Sequence, residues 1–277
     1  MIPDLLKQVV ESARSRGLKP DVLYLVPVGQ NPTGLSMSEP RKREIYKTCQ
    51  ELGLIILEDD AYYYLHYGNE SSSSEKLPGI KSLPKSFLSL DTDGRVLRFD
   101  SLSKVISPGM RLGWISGPSD FIEKYVLLQE VTAQFPCGVS QSVFLGLVKS
   151  WGDVNMHSHF QSVQQHYKNQ RDVLCGALHP LVEKSVVSFQ PPSAGMFLWM
   201  KILGAPTASS DEIFRDLAAN GVVTVSGDAF KVKTEHSLIP PSSFIRLSFA
   251  NALPSNMREA ASRISNHLSN LTKQTKA

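Results

Sequence analysis

Residues 100–114, DSLSKVISPGMRLGW, bring hydroxyl, amine and guanidinium groups into one short polar stretch. Ser101 and Ser103 precede Lys104, and Arg111 follows the lysine by seven residues. Two hydroxyls and a guanidinium suit a phosphate monoester, because serines donate hydrogen bonds and arginine supplies a bidentate fork. Taken singly, each is an ordinary loop residue, and most lysines are simply solvated. The combination favours an anion site beside a lysine with a chemical role of its own.

Two further polar groups follow apolar runs. GQNPTG places Asn31 before a Pro-Thr-Gly turn, and EDDAYYY places Asp59 three residues before Tyr62. Asn-Pro is also a common turn, and Asp59 and Tyr62 could simply cap a helix and pack. An Asp59–Asp60 pair closing an apolar run, however, is costly unless one carboxylate meets a cation. Together these groups match the needs of pyridoxal 5′-phosphate. A carboxylate can pair with the ring N–H⁺ of this cofactor, hydrogen-bond donors can contact its phenolate oxygen, and the serines and arginine can bind its phosphate. Lys104 can form an imine with it.

The elements that position these groups alternate along the first part of the chain. Short apolar runs at 22–27, 54–59 and 95–100 predict buried strands, with helical patterns between them. This alternation predicts an α/β fold with a parallel, doubly wound sheet. The polar groups follow the carboxyl ends of the strands, where open α/β sheets bind ligands. With 111–118 we count about four strands against the usual five or six, so we expect a partial sheet.

The second part of the chain has a different pattern. It is mostly helical from 119 to about 183, and strands and helices then follow. We predict that residues 1–150 form the C-terminal part of a large cofactor-binding domain. Residues 151–277 are predicted to form a bridging helix and a smaller α+β domain. The last helix is amphipathic, with an inner face made of Met257, Ala261, Ile264, Leu268 and Leu271.

Composition and charge narrow the class of protein. The net charge of +3 arises from interspersed charges without a basic block, so we expect no nucleic-acid or membrane partner. No apolar run reaches the roughly 18 residues of a membrane span, and the N-terminus lacks the features of a signal peptide. The three cysteines are scattered, which fits a reducing compartment, and we expect a cytoplasmic protein. No metal site is expected, and three histidines on a polar helical segment are interpreted as solvated: His157, His159 and His166.

Several stretches together resemble the class I/II aminotransferases of pyridoxal phosphate fold type I: GQNPTG, EDDAYYYL, SLSKVISPGMRLGWISGP, AGMFLWM and FIRLSFA. The likeness is greatest to the kynurenine/α-aminoadipate and fungal aromatic aminotransferase group, and it extends over nearly the whole chain. It implies the fold type I architecture, with a partial doubly wound large domain and a smaller C-terminal α+β domain. Members of this family are longer, and the chain is similar to their C-terminal part.

The resemblance implies a role for each candidate site residue. Lys104 would be the catalytic lysine that binds the cofactor covalently. Asp59 would bind the pyridine nitrogen, and Tyr62 and Asn31 would contact the ring oxygen. The cofactor phosphate would be held by Ser101, Ser103 and Arg111. Arg246, in FIRLSF, would bind the α-carboxylate of the substrate, with Asn31 beside it.

The reaction implied is transamination of aromatic or 2-aminoadipate-like amino acids, with a 2-oxo acid acceptor that is often 2-oxoglutarate. The resemblance also implies a homodimer for the full-length protein. Three alternatives stay open at the level of sequence. The cofactor could serve β-elimination, decarboxylation or racemisation instead. The chain could be the ligand-sensing domain of a transcription regulator, or it could be an inactive fragment.

Overall fold

A computed structural model describes residues 1–68, 77, 79–203, 209–232 and 242–274. The contacts within the chain divide it into two units. The first unit consists of Met1–Val28, Ser36–His66 and Pro78–Val163, and the second of Gly29–Leu35, Tyr67–Leu77 and Gln164–Ala277. The short segment Gly29–Leu35, which contains Asn31, therefore groups with the C-terminal part of the chain.

A four-stranded sheet forms the centre of the first unit, in the order β1-β2-β3-β4. Its strands are β1 (Val22–Leu25), β2 (Ile55–Asp59), β3 (Val96–Ser101) and β4 (Gly113–Ser116). The pairs β1–β2 and β2–β3 are parallel, as the sequence predicts. The β3–β4 pair is antiparallel and departs from the predicted parallel arrangement. The reason is the connection over 102–112, which is too short for the crossover that parallel neighbours need.

Helices cover this sheet and bury its apolar core. They are α1 (Pro3–Ser15), α2 (Glu39–Leu52) and the short α3 (Phe87–Leu90). Helix α2 begins after Ser38 with Pro40 in its first turn, and it ends at Gly53, whose φ of 68° is the left-handed conformation that glycine adopts readily. The core consists of apolar residues from α1, α2, α3 and three strands, among them Val10, Ile45, Cys49, Ile56, Phe87 and Val96.

Two helices follow the sheet along the chain, α4 (Ser119–Val131) and α5 (Gly138–Glu183). Helix α5 is interrupted at Gly152, whose φ of 60° and ψ of −175° are not helical. The sequence predicts this helical stretch correctly, but not the break within it. No helix in the described part of the chain is both long and apolar enough to cross a membrane.

An antiparallel sheet in the order β5-β6-β8-β7 forms the second unit. Its strands are β5 (Val187–Phe189), β6 (Phe197–Ile202), β7 (Val225–Ser226) and β8 (Phe244–Ser248), accompanied by α6 (Ser210–Ala219) and α7 (Pro254–Gln274). The inner face predicted for the last helix is confirmed at four positions, where Met257, Ala261, Ile264 and Leu268 are all at most 3% exposed. This face packs α7 into the core of the unit, so helical periodicity alone located the element.

Candidate functional site

The alternation of side chains along β2 separates its carboxylates. Glu58 and Asp60 are buried, whereas Asp59 between them is only partly buried, because successive residues of a strand point to opposite faces. Asp59 is paired in register with Phe99, so Ser101, two residues further along β3, lies on the same face as Asp59. One face of the sheet thus presents Asp59 and Ser101 together, as the sequence predicts for groups at the carboxyl ends of parallel strands.

Tyr24 of β1 is a diagonal neighbour of Asp59 on this face. Its hydroxyl donates to Asp59 Oδ2 at 2.6 Å. The pKa of Tyr24 is raised to about 12. Loss of hydration is the largest cause, and the hydrogen bond to Asp59 is the second largest. Tyr62 is buried in the turn after β2, where it adds a smaller contribution to the same shift. Sequence reasoning did not select Tyr24, because it lies inside an apolar run and precedes Asp59 by 35 residues.

The turn that follows β3 brings the hydroxyl and guanidinium groups together. Ser101 Oγ accepts a hydrogen bond from the backbone N–H of Ser103 at 3.2 Å. Arg111 Nη1 approaches Ser103 Oγ at 3.4 Å and the carbonyl of Pro108 at 3.3 Å. Arg111 has a φ of 49°, a left-handed conformation that turns the chain back toward β4. Two hydroxyls and an exposed guanidinium therefore surround one short turn, which is the arrangement predicted for an anion site.

Lys104 ends a single 3-10 turn, Leu102–Lys104, within the same segment. Among the residues that the structure describes, its amine makes no hydrogen bond or ion pair. The turn is attached to α5 through His159, whose Nε2 lies 2.7 Å from the carbonyl oxygen of Val105. The prediction that His159 is solvated is therefore wrong: it is partly buried and also packs against the ring of Trp151 at 5.0 Å. The polar helical pattern did not reveal this contact because Val105 lies 54 residues away.

A layer of charged groups lies on the opposite, buried face of the sheet. Arg98 donates to both oxygens of Asp100 at 2.9 Å and also approaches Asp60 Oδ2 at 3.3 Å. Glu58 accepts hydrogen bonds from the backbone N–H groups at the start of α3, at 2.7 and 3.0 Å. Lys42 is fully buried and donates to a backbone carbonyl at 2.8 Å. The sequence predicts a cation for one carboxylate of the Asp59–Asp60 pair, and the structure places that cation at Asp60.

This buried layer contains three carboxyl groups and two cations, so it carries one acidic group in excess. Burial, together with the nearby charge of Glu58, raises the pKa of Asp60 to about 8. Burial also raises the pKa of Glu58 and lowers that of Lys42. Burial therefore favours the neutral form of Asp60, whereas Asp59 is directed to the other face.

In the second unit, Asn31 and Arg246 form a pair. Arg246 Nη1 donates to Asn31 Oδ1 at 2.6 Å. The guanidinium of Arg246 also lies over the ring of Phe197 at 4.2 Å and near that of Phe230 at 5.1 Å, which holds it by cation–π contacts. It is partly buried rather than fully enclosed. An arginine fixed in this way presents a planar fork suited to a carboxylate.

The turn that carries Asn31 depends on its glycines. Gly29 has a φ of 53°, and a Cβ atom there would lie 2.6 Å from the Cα of Gly195. A Cβ atom on Gly34, whose φ is 66°, would overlap the carbonyl oxygen of Phe197. Within the turn, Gln30 Oε1 accepts from the backbone N–H of Thr33 at 2.9 Å. The glycines therefore allow the turn to approach the segment before β6 closely, and this fixes Asn31 beside Arg246.

Comparison with known proteins identifies the family of the chain. The sequence profile of the family described as "Aminotransferase class I and II" matches residues 3–264. A rat protein named kynurenine/alpha-aminoadipate aminotransferase, mitochondrial, is 36% identical over 263 residues, which cover 93% of this chain and 58% of that protein. An aromatic amino acid aminotransferase of Schizosaccharomyces pombe is 36% identical over 86% of this chain and 53% of its own length.

A solved structure is similar over nearly the whole chain. The crystal structure of the Pyrococcus horikoshii kynurenine aminotransferase, in complex with PMP, superposes with a TM-score of 0.82 at 26% identity. The match covers 98% of this chain and 61% of that protein. The chain thus spans a little over half the length of the curated relatives reported above. The profile match over most of the sequence, with the fold and the grouping of polar residues, establishes that the chain belongs to the aminotransferase class I and II family.

Proposed function

We propose that this protein is a pyridoxal 5′-phosphate-dependent aminotransferase of aromatic or 2-aminoadipate-like amino acids. The observation that carries the proposal is the turn after β3, which presents Lys104 with Ser101, Ser103 and Arg111 on the sheet that also positions Asp59. The rat relative is named for kynurenine and α-aminoadipate, and the Pyrococcus horikoshii structure contains PMP, which supports both the substrate class and the cofactor.

The donor groups present fit this cofactor. A phosphate monoester needs several hydrogen-bond donors and a cation, and two serines and one arginine supply them around the turn. Asp59 Oδ2 is occupied by Tyr24, which leaves Oδ1 for the pyridinium N–H. We assign the ring oxygen to Tyr62 and Asn31, both of which have side-chain groups that can donate to it. Lys104 supplies the amine that attaches the cofactor.

In the proposed transamination, the cofactor and the side chains of the protein have different tasks. Pyridoxal phosphate, when bound, withdraws the electrons left behind at the α-carbon of the substrate. Asp59 holds the proton on the ring nitrogen, which maintains this electron demand. Lys104 Nζ is the base that accepts the proton from the α-carbon, so one residue both attaches the cofactor and moves the proton.

Arg246 is assigned to the α-carboxylate of the amino acid. Its guanidinium is held by Asn31 and by two aromatic rings, so little side-chain freedom is lost when a carboxylate binds. The second substrate is a 2-oxo acid, for which 2-oxoglutarate is the first choice. We further propose a cytoplasmic homodimer, with a cofactor-binding region within residues 1–150 and a bridging helix and smaller domain over 151–277.

The test is an assay for product with and without an acceptor. The purified protein is supplied with pyridoxal phosphate and an aromatic amino acid, and the corresponding oxo acid is measured. We expect repeated turnover, with more than one oxo acid per bound cofactor, only when 2-oxoglutarate is added. Without an acceptor the amino group stays on the cofactor, and the reaction stops after one oxo acid per site. Continued consumption of the amino acid without an acceptor, with release of carbon dioxide or ammonia, would instead indicate decarboxylation or elimination.

The assignment of Lys104 has its own test. Lys104→Ala should abolish both turnover and the absorbance of covalently bound cofactor, whereas Lys149→Ala, which alters an exposed lysine on α5, should leave both unchanged. If covalently bound cofactor persisted in Lys104→Ala, another lysine would carry it.

A further inference from the structure

The pairing of β1 with β2 places one side chain next to Asp59. Tyr24 of β1 is in register with Leu57 of β2, and Asp59 lies two residues beyond Leu57. Side chains two residues apart on a strand share a face, so Tyr24 and Asp59 are diagonal neighbours on the same side of the sheet. A side chain of tyrosine length spans this diagonal, and it brings the hydroxyl to the carboxylate.

The contact itself is short and directional. Tyr24 Oη donates to Asp59 Oδ2 at 2.6 Å, within the range of strong O–H···O⁻ hydrogen bonds. The raised pKa of Tyr24 means that its hydroxyl keeps its proton, and remains a donor, throughout the physiological range. In the part of the chain that the structure describes, Asp59 Oδ1 makes no hydrogen bond. One carboxylate oxygen is thus anchored, and the other is left for a second donor.

The packing around Tyr24 does not explain the contact. Its side chain is 59% exposed, so it contributes little to the core of the sheet. Tyr63, in the turn after β2, shows the alternative: it is partly buried, and its hydroxyl donates to the Pro84 carbonyl at 2.9 Å. The hydroxyl of Tyr24 is directed instead at the carboxylate assigned to the cofactor ring.

We propose that Tyr24 is a positioning residue: by holding Asp59 Oδ2, it fixes the orientation in which Oδ1 receives the pyridinium N–H of the cofactor. The inference rests on the proposed function, since it requires that Asp59 binds the ring nitrogen. Tyr24 does not touch the cofactor; it acts through Asp59. Without the hydroxyl, the carboxylate can rotate about its side-chain bonds, and its hydrogen bond to the ring weakens.

The experiment uses the protein loaded with pyridoxal phosphate that carries ¹⁵N at the ring nitrogen. The ¹⁵N chemical shift reports directly whether that nitrogen is protonated, and a pH titration gives its pKa. Tyr24→Phe removes only the hydroxyl, and Tyr63→Phe is the matched control. We expect Tyr24→Phe to lower the pKa of the ring nitrogen and to weaken cofactor binding by about three- to tenfold, the size of one hydrogen bond. Tyr63→Phe should change neither.

Asp59→Asn separates a failure of the proposed function from a failure of the role proposed for Tyr24. It should lower the pKa of the ring nitrogen more than Tyr24→Phe does, and adding Tyr24→Phe to Asp59→Asn should have little further effect. If Asp59→Asn left the ¹⁵N titration unchanged, or the protein bound no pyridoxal phosphate, the proposed function would fail and this inference with it. If Asp59→Asn shifted the titration while Tyr24→Phe did not, only the role of Tyr24 would be overturned.

A merely structural role for Tyr24 predicts a different pattern. In that case Tyr24→Phe would reduce the stability of the chain without cofactor and leave the ¹⁵N titration where it was. Urea unfolding of the cofactor-free protein measures that stability, and Tyr24→Leu serves as a second variant if the phenylalanine does not fold. A loss of stability with an unchanged titration would overturn the proposal.

Discussion

Asp60 offers a quantitative test of the charged layer beneath the site, through the replacement Asp60→Asn. The side chain is 1% exposed, and its nearest cation, Arg98, already makes a two-point contact with Asp100. Arg98 therefore offsets only part of the cost of burying a second carboxylate. As a result the carboxyl group of Asp60 prefers its neutral form, and its pKa rises from 3.8 to about 8.

The direction of the pH dependence follows from this shift. Between about pH 4 and pH 8 the folded chain holds a proton on Asp60 that the unfolded chain has released. Stability therefore falls as the pH rises through this window, by about 1.4 kcal/mol for each pH unit. Over the four units the loss amounts to roughly 6 kcal/mol, a large part of the stability of a typical domain. Below pH 4 both states are protonated, and the effect disappears.

Asp60→Asn removes the titrating group and keeps nearly the same shape. We expect the variant to unfold at a urea concentration close to that of the wild type at pH 4.5, and to be more stable than the wild type by several kcal/mol at pH 8.5. Asp100→Asn is the control, because it removes the main partner of buried Arg98 and should destabilise the chain by about 3–5 kcal/mol. Parallel stability curves for wild type and Asp60→Asn from pH 4.5 to 8.5 would refute this reasoning.

Two further predictions concern the ends of the site. His159→Leu should weaken pyridoxal phosphate binding by about three- to tenfold, because the carbonyl of Val105, next to Lys104, loses its hydrogen-bond donor. Fluorescence titration with the cofactor measures this affinity. The control is His166→Leu, at an exposed position, which should leave the affinity unchanged. Arg246→Lys should raise the KM for the amino acid by about tenfold or more, since a lysine lacks the planar fork, while cofactor affinity stays the same. An unchanged KM would remove Arg246 from the substrate site.

Local sequence patterns predicted the elements of this fold well. Ser38 and Pro40 stand at the start of α2 and Gly53 at its end, which are ordinary local signals for helix ends, and the apolar residues of the last helix repeat at helical spacing. The three parallel strands were visible as apolar runs between helices. These features depend on residues within a few positions of one another, where backbone and side-chain preferences act directly.

The contacts that join distant segments could not be read in the same way. Tyr24 meets Asp59 only because β1 and β2 pair in one particular register, and His159 meets Val105 only because α5 returns to the turn after β3. A one-residue change of register would turn Tyr24 to the other face without altering any local pattern. Such contacts depend on tertiary structure, so the sequence could indicate candidate chemical groups but not the residues that contact and orient them.

Three consecutive acidic residues at the end of β2 connect the buried layer with the site. Because side chains alternate, Glu58 and Asp60 must share a face, and Asp59 must take the other. The buried face provides backbone donors for Glu58 and a cation for Asp60. A slip of one residue would bury Asp59 in their place and expose both neighbours, and the buried donors would lose their acceptors. The charged layer therefore specifies the register of β2, and with it which of the three carboxylates faces Tyr24 and the turn of Lys104.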